Sequence, residues 1–244
     1  MLKINITPKL QFEDLNRQIH SSAEKHVKLL GVVGQRYIGA GLAGRKIEIA
    51  GTPGNALGAY LNGSAIIVDG NVQDATGDTM NGGSIVVHGN AGDATGYAMR
   101  GGEIYIRGNT GYRAGIHMKA YERHQPAVVV GGKAGSFLGE YQAGGKIIVL
   151  NLNPGEDGRP ITGEFLGTGM HGGAMYLRMD EAPDVPKQIS VSMARGTELP
   201  EIKPYISTFC EHFKEFDKEA ILSSMFAVLK PNSANPYHQL YTAN

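Results

Sequence analysis

Residues 82–119 decide the fold, and they read GGSIVVHGNAGDATGYAMR followed by GGEIYIRGNTGYRAGIHMK. The second half repeats the first after 19 residues, with glycines at the same positions. The same arrangement of glycines recurs seven times along the chain, and the first five copies keep the interval of 19 residues. Repetition at a short fixed period indicates a protein built of stacked repeats. Seven turn glycines mark the copies: Gly39, Gly58, Gly77, Gly96, Gly115, Gly139 and Gly167.

Each copy also carries a short alternating apolar segment. Alternation of mostly β-branched residues predicts a β-strand, and the glycines supply bends that need a positive φ or a close backbone approach. A copy is too short for a propeller blade and contains no helical stretch. The sequence therefore predicts an all-β fold, a single-stranded right-handed β-helix (β-solenoid) of about seven coils with helical N- and C-terminal caps. The segments are Ile47/Ile49, Ile66/Val68, Ile85/Val87, Ile104/Ile106, Val128/Val130, Ile147/Val149 and Met175/Leu177.

The segment before the repeats, residues 1–33, predicts an N-terminal helical cap. Over residues 10–30 the apolar residues fall near helical spacing for part of the way, and Pro8 ends the strand-like segment ahead of them. The repeats then occupy residues 34–180. Two copies carry extra loops, HMKAYERHQP and LNPGEDGRPITG. Loops that leave a rigid scaffold are common contact sites.

The segment after the repeats, residues 181–244, predicts a C-terminal helical cap and tail. Asp217 is placed to cap a short helix. Pro231 and Pro236 predict an extended tail. Caps are expected because the ends of stacked repeats expose unpaired strand edges. A longer helical stripe precedes Asp217 and consists of Ile202, Ile206, Phe209 and Phe213.

Composition and charge narrow the function classes. Lys and Arg total 23 and Asp and Glu total 23, so no charge excess points to nucleic acid or an anionic membrane as a partner. The chain has no apolar run long enough to span a membrane and no signal-peptide pattern at its N-terminus. Cys210 is the single cysteine, which excludes an intrachain disulfide. Together these features predict a cytoplasmic protein.

Two glycine-rich strings resemble nucleotide-binding motifs. Residues 39–44 (GAGLAG) fit the GxGxxG pattern, but a strand follows where a dinucleotide-binding loop requires a helix. Residues 131–135 (GGKAG) lack the spacing and the final Lys-Ser/Thr of a phosphate-binding loop. Both strings are interpreted as turns between strands.

Other polar residues are interpreted as structural. His88, His117, His124 and His171 show no metal-ligand spacing, which favours hydrogen bonding in turns. Cys210 lies within a helical stripe, where a buried thiol is expected. One column of turn residues is expected to bond neighbouring backbone amides rather than a cation, and it consists of Asn55, Asp74 and Asp93.

The outward positions of the strands form a mostly apolar column. A wall that faces solvent should be polar at these positions, so something is expected to cover it. Two explanations stay open: the chain's own terminal helices cover the column, or a partner protein or a second copy of the chain does. The column begins at Glu48, and its other members form the candidate interface: Ile67, Val86, Tyr105, Val129, Ile148 and Tyr176.

Several stretches together resemble one family. They are residues 34–44 (GQRYIGAGLAG), the serial repeats 54–145, residues 139–145 (GEYQAGG) and the tail from residues 209–213 (FCEHF) to Pro236 and Tyr237. They are similar to the C-terminal β-helical GXGXG domain of the glutamate synthase large subunit, here as a free-standing protein of archaeal type. The repeats alone are also similar to the β-helical subunit of formylmethanofuran dehydrogenase and to a subunit of N-methylglutamate synthase. The GQRYIGAGL opening and the CEHF tail favour glutamate synthase.

The resemblance implies a scaffold with no catalytic, cofactor-binding or metal-binding residues of its own. In this family a glutamine amidotransferase module uses an N-terminal cysteine, and an FMN-binding module reduces 2-iminoglutarate beside an iron–sulfur cluster. This chain begins with Met1 and Leu2, and its one cysteine cannot hold a cluster. FMN and the cluster are therefore expected on partner subunits, one an amidotransferase and one an FMN-binding synthase.

An alternative class is a stand-alone β-helix enzyme that acts on carbohydrates. Such an enzyme needs clustered carboxylates or a Lys or Arg base on one exposed face. Equivalent outward positions of the regular repeats hold Asp69, His88 and Arg107, which include no paired acids. The sequence therefore favours a structural subunit over this alternative.

Overall fold

Each repeat contributes one strand to a single sheet, because only its alternating β-branched segment is extended. The structure is a computed structural model, and it describes residues 1–7, 9–152 and 158–232. Its helices are α1 (Phe12–Ser21), α2 (Lys203–His212) and α3 (Lys218–Ser223). Its strands are β1 (Leu2–Asn5), β2 (His26–Val33), β3 (Lys46–Thr52), β4 (Asn62–Asp69), β5 (Gly82–Val87), β6 (Glu103–Ile106), β7 (Ala127–Val130), β8 (Ala143–Val149), β9 (Gly172–Arg178), β10 (Ile189–Arg195) and β11 (Met225–Pro231).

The strands lie in the order β1-β2-β3-β4-β5-β6-β7-β8-β9-β11-β10. Strands β1 to β9 pair in parallel, whereas β11 lies antiparallel between β9 and β10. In the regular repeats the pairing advances by 19 residues per strand, as in Ile47 to Ile66 and Ile66 to Ile85. The strand segments and the register predicted from the periodicity are thus confirmed.

The predicted fold class was wrong. The chain forms one mixed, mostly parallel sheet of 11 strands with few helices, and a single-stranded right-handed β-helix (β-solenoid) is not what the structure shows. The physical reason is that the rest of each repeat consists of turns with left-handed residues, which cannot continue a strand. Neighbouring turns add isolated bridges, such as Val72 to Ala91, rather than further named strands.

The sheet separates two apolar clusters. The face that we call inner packs on the stacked turns, and Ile66 and Ile85 meet turn residues such as Met80 there. The face that we call outer packs against the C-terminal segment, where Val129 and Ile148 meet Phe209 of α2. Because each strand alternates between the two faces, one apolar residue goes inward and the next goes outward.

Helix α1 is shorter than the helical spacing over residues 10–30 suggests. Leu15 and Ile19 are fully buried in the inner cluster, but Val27 lies on strand β2, where β-branched residues pack well. The Arg45 guanidinium donates hydrogen bonds to the carbonyls of Ile19, His20 and Ser22. These carbonyls lie at the C-terminal end of α1, which the helix itself leaves without partners. Pro8 lies outside the described residues.

The C-terminal stripe folds as predicted. Ile202, Ile206, Phe209 and Phe213 are all 0–1% exposed. Asp217 caps α3, since its Oδ1 accepts hydrogen bonds from the backbone N–H of Glu219 at 2.8 Å and of Ala220 at 3.3 Å. Strands β10 and β11 were missed because they lie outside the repeats. Pro231 ends β11, and Pro236 and Tyr237 lie outside the described residues.

The structure does not test the predicted domain boundaries, and it describes only part of the second extra loop. The boundaries after residues 33 and 180 stay predictions, and residues 153–157 of the second extra loop lie outside the described part. Among the residues that the structure does describe, no helix is long and apolar enough to cross a membrane.

Candidate functional site

Five members of the candidate interface lie beneath the chain's own C-terminal segment. Val86, Tyr105, Val129, Ile148 and Tyr176 are 0–2% exposed and belong to the outer cluster with α2 and α3. The sixth member, Ile67, is only partly buried at the margin of that cluster. Of the two explanations for the apolar column, the structure places the chain's own helices over these five side chains.

Phe209 anchors α2 to the outer face. A Cβ atom at Gly131 would lie 2.7 Å from the Cζ atom of Phe209, so a glycine there gives the ring its space. The rings of Phe209 and Phe213 meet at 4.7 Å between centroids, and Phe213 meets the His88 ring edge-on at 5.2 Å. The turn interpretation of residues 131–135 thus acquires a specific role, which is to admit the helix.

Polar groups close the rim of the covered face. The Tyr105 hydroxyl donates to Glu103 Oε2 at 2.6 Å, and the Tyr176 hydroxyl donates to Glu201 Oε1 at 3.1 Å. Burial, together with the adjacent carboxylate, raises the pKa of both tyrosines well above the usual range. Both phenols therefore stay protonated, and their contacts hold the rim together.

The surroundings of two further side chains, Glu215 and His212, lower their pKa values. Arg107 forms an ion pair with Glu215, and this hydrogen bond holds the pKa of Glu215 below its usual value. Burial lowers the pKa of His212, whose ring lies 5.4 Å from that of Tyr105. Of the outward residues Asp69, His88 and Arg107, His88 thus packs against Phe213 and Arg107 pairs with Glu215.

The part of the outer face over β3 and β4 is not covered by α2. A shallow cleft of about 180 Å³ lies there between Lys28, Glu48, Ile67 and Asp69. Lys46 Nζ donates a hydrogen bond to Glu48 Oε1 at 2.6 Å, and this interaction lowers the pKa of the Glu48 carboxyl. Ile49, Ala50 and Ile67 supply the apolar part of the lining, and the carboxylate of Glu48 beside them is already paired with a lysine.

All seven predicted turn glycines have φ between +64° and +73°. A Cβ atom at Gly58 would lie 2.7 Å from Ile85 Cδ1, and one at Gly77 would lie closer still to Ile104 Cδ1. Ala75 and Thr79, two residues before and after Gly77, also have positive φ, at 57° and 51°. Residues with side chains thus occupy this left-handed conformation at those two positions. Glycine is required between them because a side chain there would collide with an isoleucine on the strand of a following repeat.

The same turns carry a group of stacked aromatic residues that was not predicted from the sequence. His117 stacks on Tyr141 at 5.1 Å, Phe137 stacks on Phe165 at 4.7 Å, and Arg113 lies 4.6 Å from the centroid of Phe137. All five residues lie two positions before or after a turn glycine, and this spacing is the sequence pattern that could have identified them. We call this surface the aromatic ridge and define it as Tyr97, Tyr112, Arg113, His117, Phe137, Tyr141 and Phe165.

The remaining candidate residues have structural contacts. Asp74 and Asp93 accept hydrogen bonds from the backbone N–H groups of Asp93 and Tyr112 at 2.9 and 2.8 Å, which confirms the amide-bonding interpretation for two of the three column residues. His171 Nδ1 lies 3.0 Å from the Gly169 carbonyl oxygen. Burial raises the pKa of the Cys210 thiol. Within the described ranges, no His, Cys, Asp or Glu side chains form a group able to hold a metal ion.

The comparison with protein families covers nearly the whole fold just described. The family model of the GXGXG motif matches residues 4–232, from β1 to the residue after β11. This chain belongs to the GXGXG motif family. The family is that of the C-terminal domain of the glutamate synthase large subunit, so the GXGXG protein is a glutamate synthase-like domain.

A relative of similar length accompanies the family match. The uncharacterized protein MJ1350 of Methanocaldococcus jannaschii is 43% identical over 245 residues, which cover 96% of this chain and 94% of the relative. The similarity therefore includes the C-terminal helices as well as the repeats.

Proposed function

We propose that this GXGXG protein is the non-catalytic structural subunit of a multi-chain glutamate synthase. Such an enzyme converts glutamine and 2-oxoglutarate into two glutamates, with two electrons and two protons from a reductant. In this proposal a glutamine amidotransferase subunit and an FMN-binding synthase subunit supply the chemistry, and they carry the FMN and the iron–sulfur cluster. The observation that carries the proposal is the family match over residues 4–232.

A scaffold role agrees with the way the molecule distributes its apolar surface. Both faces of the sheet are packed within the chain, the inner one on turns and the outer one largely under α2 and α3. The aromatic ridge is left exposed, with Tyr112 at 54% and Phe165 at 56%. Tyrosine, phenylalanine and arginine are enriched at protein interfaces, so we propose the ridge as the surface that a partner subunit contacts.

Purification of the native complex tests the function. We expect the chain to copurify with an amidotransferase and an FMN-binding subunit in a fixed ratio, identified by mass. Reconstitution from the separate subunits should then form glutamate from glutamine and 2-oxoglutarate with a reduced viologen as electron donor. Omission of this chain should lower that rate.

Two outcomes would contradict the proposal. Copurification with molybdopterin and amidohydrolase-like subunits would assign the chain to formylmethanofuran dehydrogenase instead. A reconstituted mixture that works equally well without this chain would remove its structural role in glutamate synthase.

A matched pair of variants tests the ridge. Tyr141 and Tyr60 occupy the same position relative to a turn glycine, at 37% and 58% exposed, but only Tyr141 belongs to the ridge. Tyr141→Ala should weaken partner binding by about tenfold, since truncation of an aromatic anchor typically costs more than 1 kcal/mol. Tyr60→Ala should leave the affinity unchanged. Equal affinities of both variants, measured by titration calorimetry, would exclude the ridge.

A further inference from the structure

An extra turn in the fifth repeat folds back over the repeats before it. The interval from Gly115 to Gly139 is 24 residues rather than 19. Within it, the backbone N–H of Tyr121 donates to the carbonyl of His124 at 3.1 Å, and that of His124 donates to Tyr121 at 2.8 Å. A Cβ atom at Gly101 would lie 3.0 Å from His124 Cβ. The turn can therefore lie against this position because glycine has no side chain.

Three polar residues are stacked beside this turn. Asn62, Asn81 and Arg100 follow one another at 19-residue intervals. The N–H of Asn81 donates to the carbonyl of Leu61, and that of Arg100 donates to Met80, both at 2.8 Å. Residues in neighbouring parallel repeats lie roughly 4.8 Å apart. Their side chains line a cleft of about 240 Å³ together with Tyr121 and His124.

The side chains around this cleft are not engaged by other groups of the described part of the chain. In residues 1–7, 9–152 and 158–232, the side chains of Asn62, Asn81, Arg100, Tyr121 and His124 form no hydrogen bond and no ion pair with another protein group. Arginines elsewhere in the repeats differ. Arg107 pairs with Glu215, and Arg113 pairs with Glu140 at 3.1 Å. The cleft thus keeps its donors available to a ligand.

The charge around the cleft favours an anion. The cleft and its turn carry Arg100, Lys119 and Arg123 against one acid, Glu122, in a chain whose formal net charge is zero. A guanidinium group presents several N–H donors in a planar array that matches carboxylate and phosphate oxygens. Asparagine amides, a phenol and an imidazole add further donors. This set of groups suits an oxyanion better than a cation.

The size of the cleft limits the ligand further. Pockets for drug-sized molecules usually enclose about 300–1,000 Å³. A volume of about 240 Å³ leaves room for a small metabolite but not for a dinucleotide.

We propose that this cleft binds a small oxyanion that carries a carboxylate or a phosphate group. Arg100 forms the charged contact, the amides of Asn62 and Asn81 orient the anion, and Tyr121 and His124 close the open side. The proposal does not depend on the function proposed above, because it rests only on the cleft and its donors.

Titration calorimetry of the full chain with sodium glutarate and with inorganic phosphate, at constant ionic strength, tests the proposal. We expect saturable binding of at least one of the two anions. Arg100→Gln should weaken that binding about tenfold or more, because a charge-assisted contact is lost. Binding of glutarate alone would identify a carboxylate site, and binding of phosphate alone a phosphate site.

Arg17→Gln is the matched control, since Arg17 is an exposed arginine on α1 whose side chain is 75% exposed. It should bind the anion as the unchanged protein does. Circular dichroism should show the same secondary structure for both variants. The proposal is overturned if neither anion binds, or if Arg17→Gln and Arg100→Gln reduce binding equally.

Discussion

Aromatic residues occupy two kinds of column in this protein, and the two have opposite environments. On the strands, Tyr105 and Tyr176 are 1% and 2% exposed beneath the C-terminal helices. On the turns, Tyr112 and Phe165 are 54% and 56% exposed on the aromatic ridge. The same repeat provides the strand positions and the turn positions. The comparison shows that periodicity places a residue in a column, whereas the segment that packs across the column decides its burial.

The largest expected effect comes from the residue that covers the strand column. Phe209→Ala removes a fully buried ring and should lower the free energy of unfolding by about 3–5 kcal/mol. Phe165→Ala removes an exposed ring of the ridge and should change it far less, within about 1 kcal/mol. Chemical denaturation of both variants measures the difference. Similar losses of unfolding free energy from both substitutions would mean that the covered face and the ridge do not differ in their contribution to stability.

A second pair of variants separates backbone strain from packing in the turns. Gly41→Ala places a Cβ in open space at φ +68° and should cost about 1–2 kcal/mol for the left-handed conformation. Gly77→Ala, at φ +72°, adds a close contact with Ile104 and should cost roughly 1–3 kcal/mol more. Thermal unfolding with a matched denaturant series gives both values. Equal costs would mean that φ alone, and not the strand ladder, requires glycine at this position.

A smaller effect is expected from pH at the rim of the covered face. Burial holds the pKa of His212 below its usual value of 6.5, so between the two values the unfolded chain binds a proton that the folded chain does not. Stability should therefore fall as the pH drops through 6.5 toward the folded pKa. His212→Gln should flatten this dependence, and His20→Gln, at an exposed position of α1, should retain it. A slope that His212→Gln leaves unchanged would assign the acid sensitivity to other groups.

Several elements were readable from the sequence because their cause is local. Alternating β-branched residues identified the strand segments of all seven repeats, and Asp217 identified the start of α3, since both patterns act within a few residues. The buried stripe of α2 was readable for the same reason. Strands β10 and β11 were not, because they follow no repeat and pair only with distant parts of the chain.

The fold class and the cleft needed more than local pattern. A 19-residue period is compatible with coils that close on themselves and with a single sheet backed by stacked turns, and the first of these, the predicted arrangement, was wrong. The cleft beside Arg100 depends on an extra turn folding back onto Gly101, which no residue spacing reveals. The candidate interface column was found correctly as apolar, but its cover by α2 was one of two open explanations.

The sequence by itself determined the period, the strands, the glycine positions in the turns and the family. These follow from side-chain alternation and backbone sterics, which act between neighbours along the chain. Only the tertiary structure decided that the repeats form one mixed sheet, that α2 buries Tyr105 while the ridge stays exposed, and that Asn62, Asn81 and Arg100 face one cleft. The reason is that burial and binding depend on which distant segment packs across a surface, and the residues of that surface do not specify this.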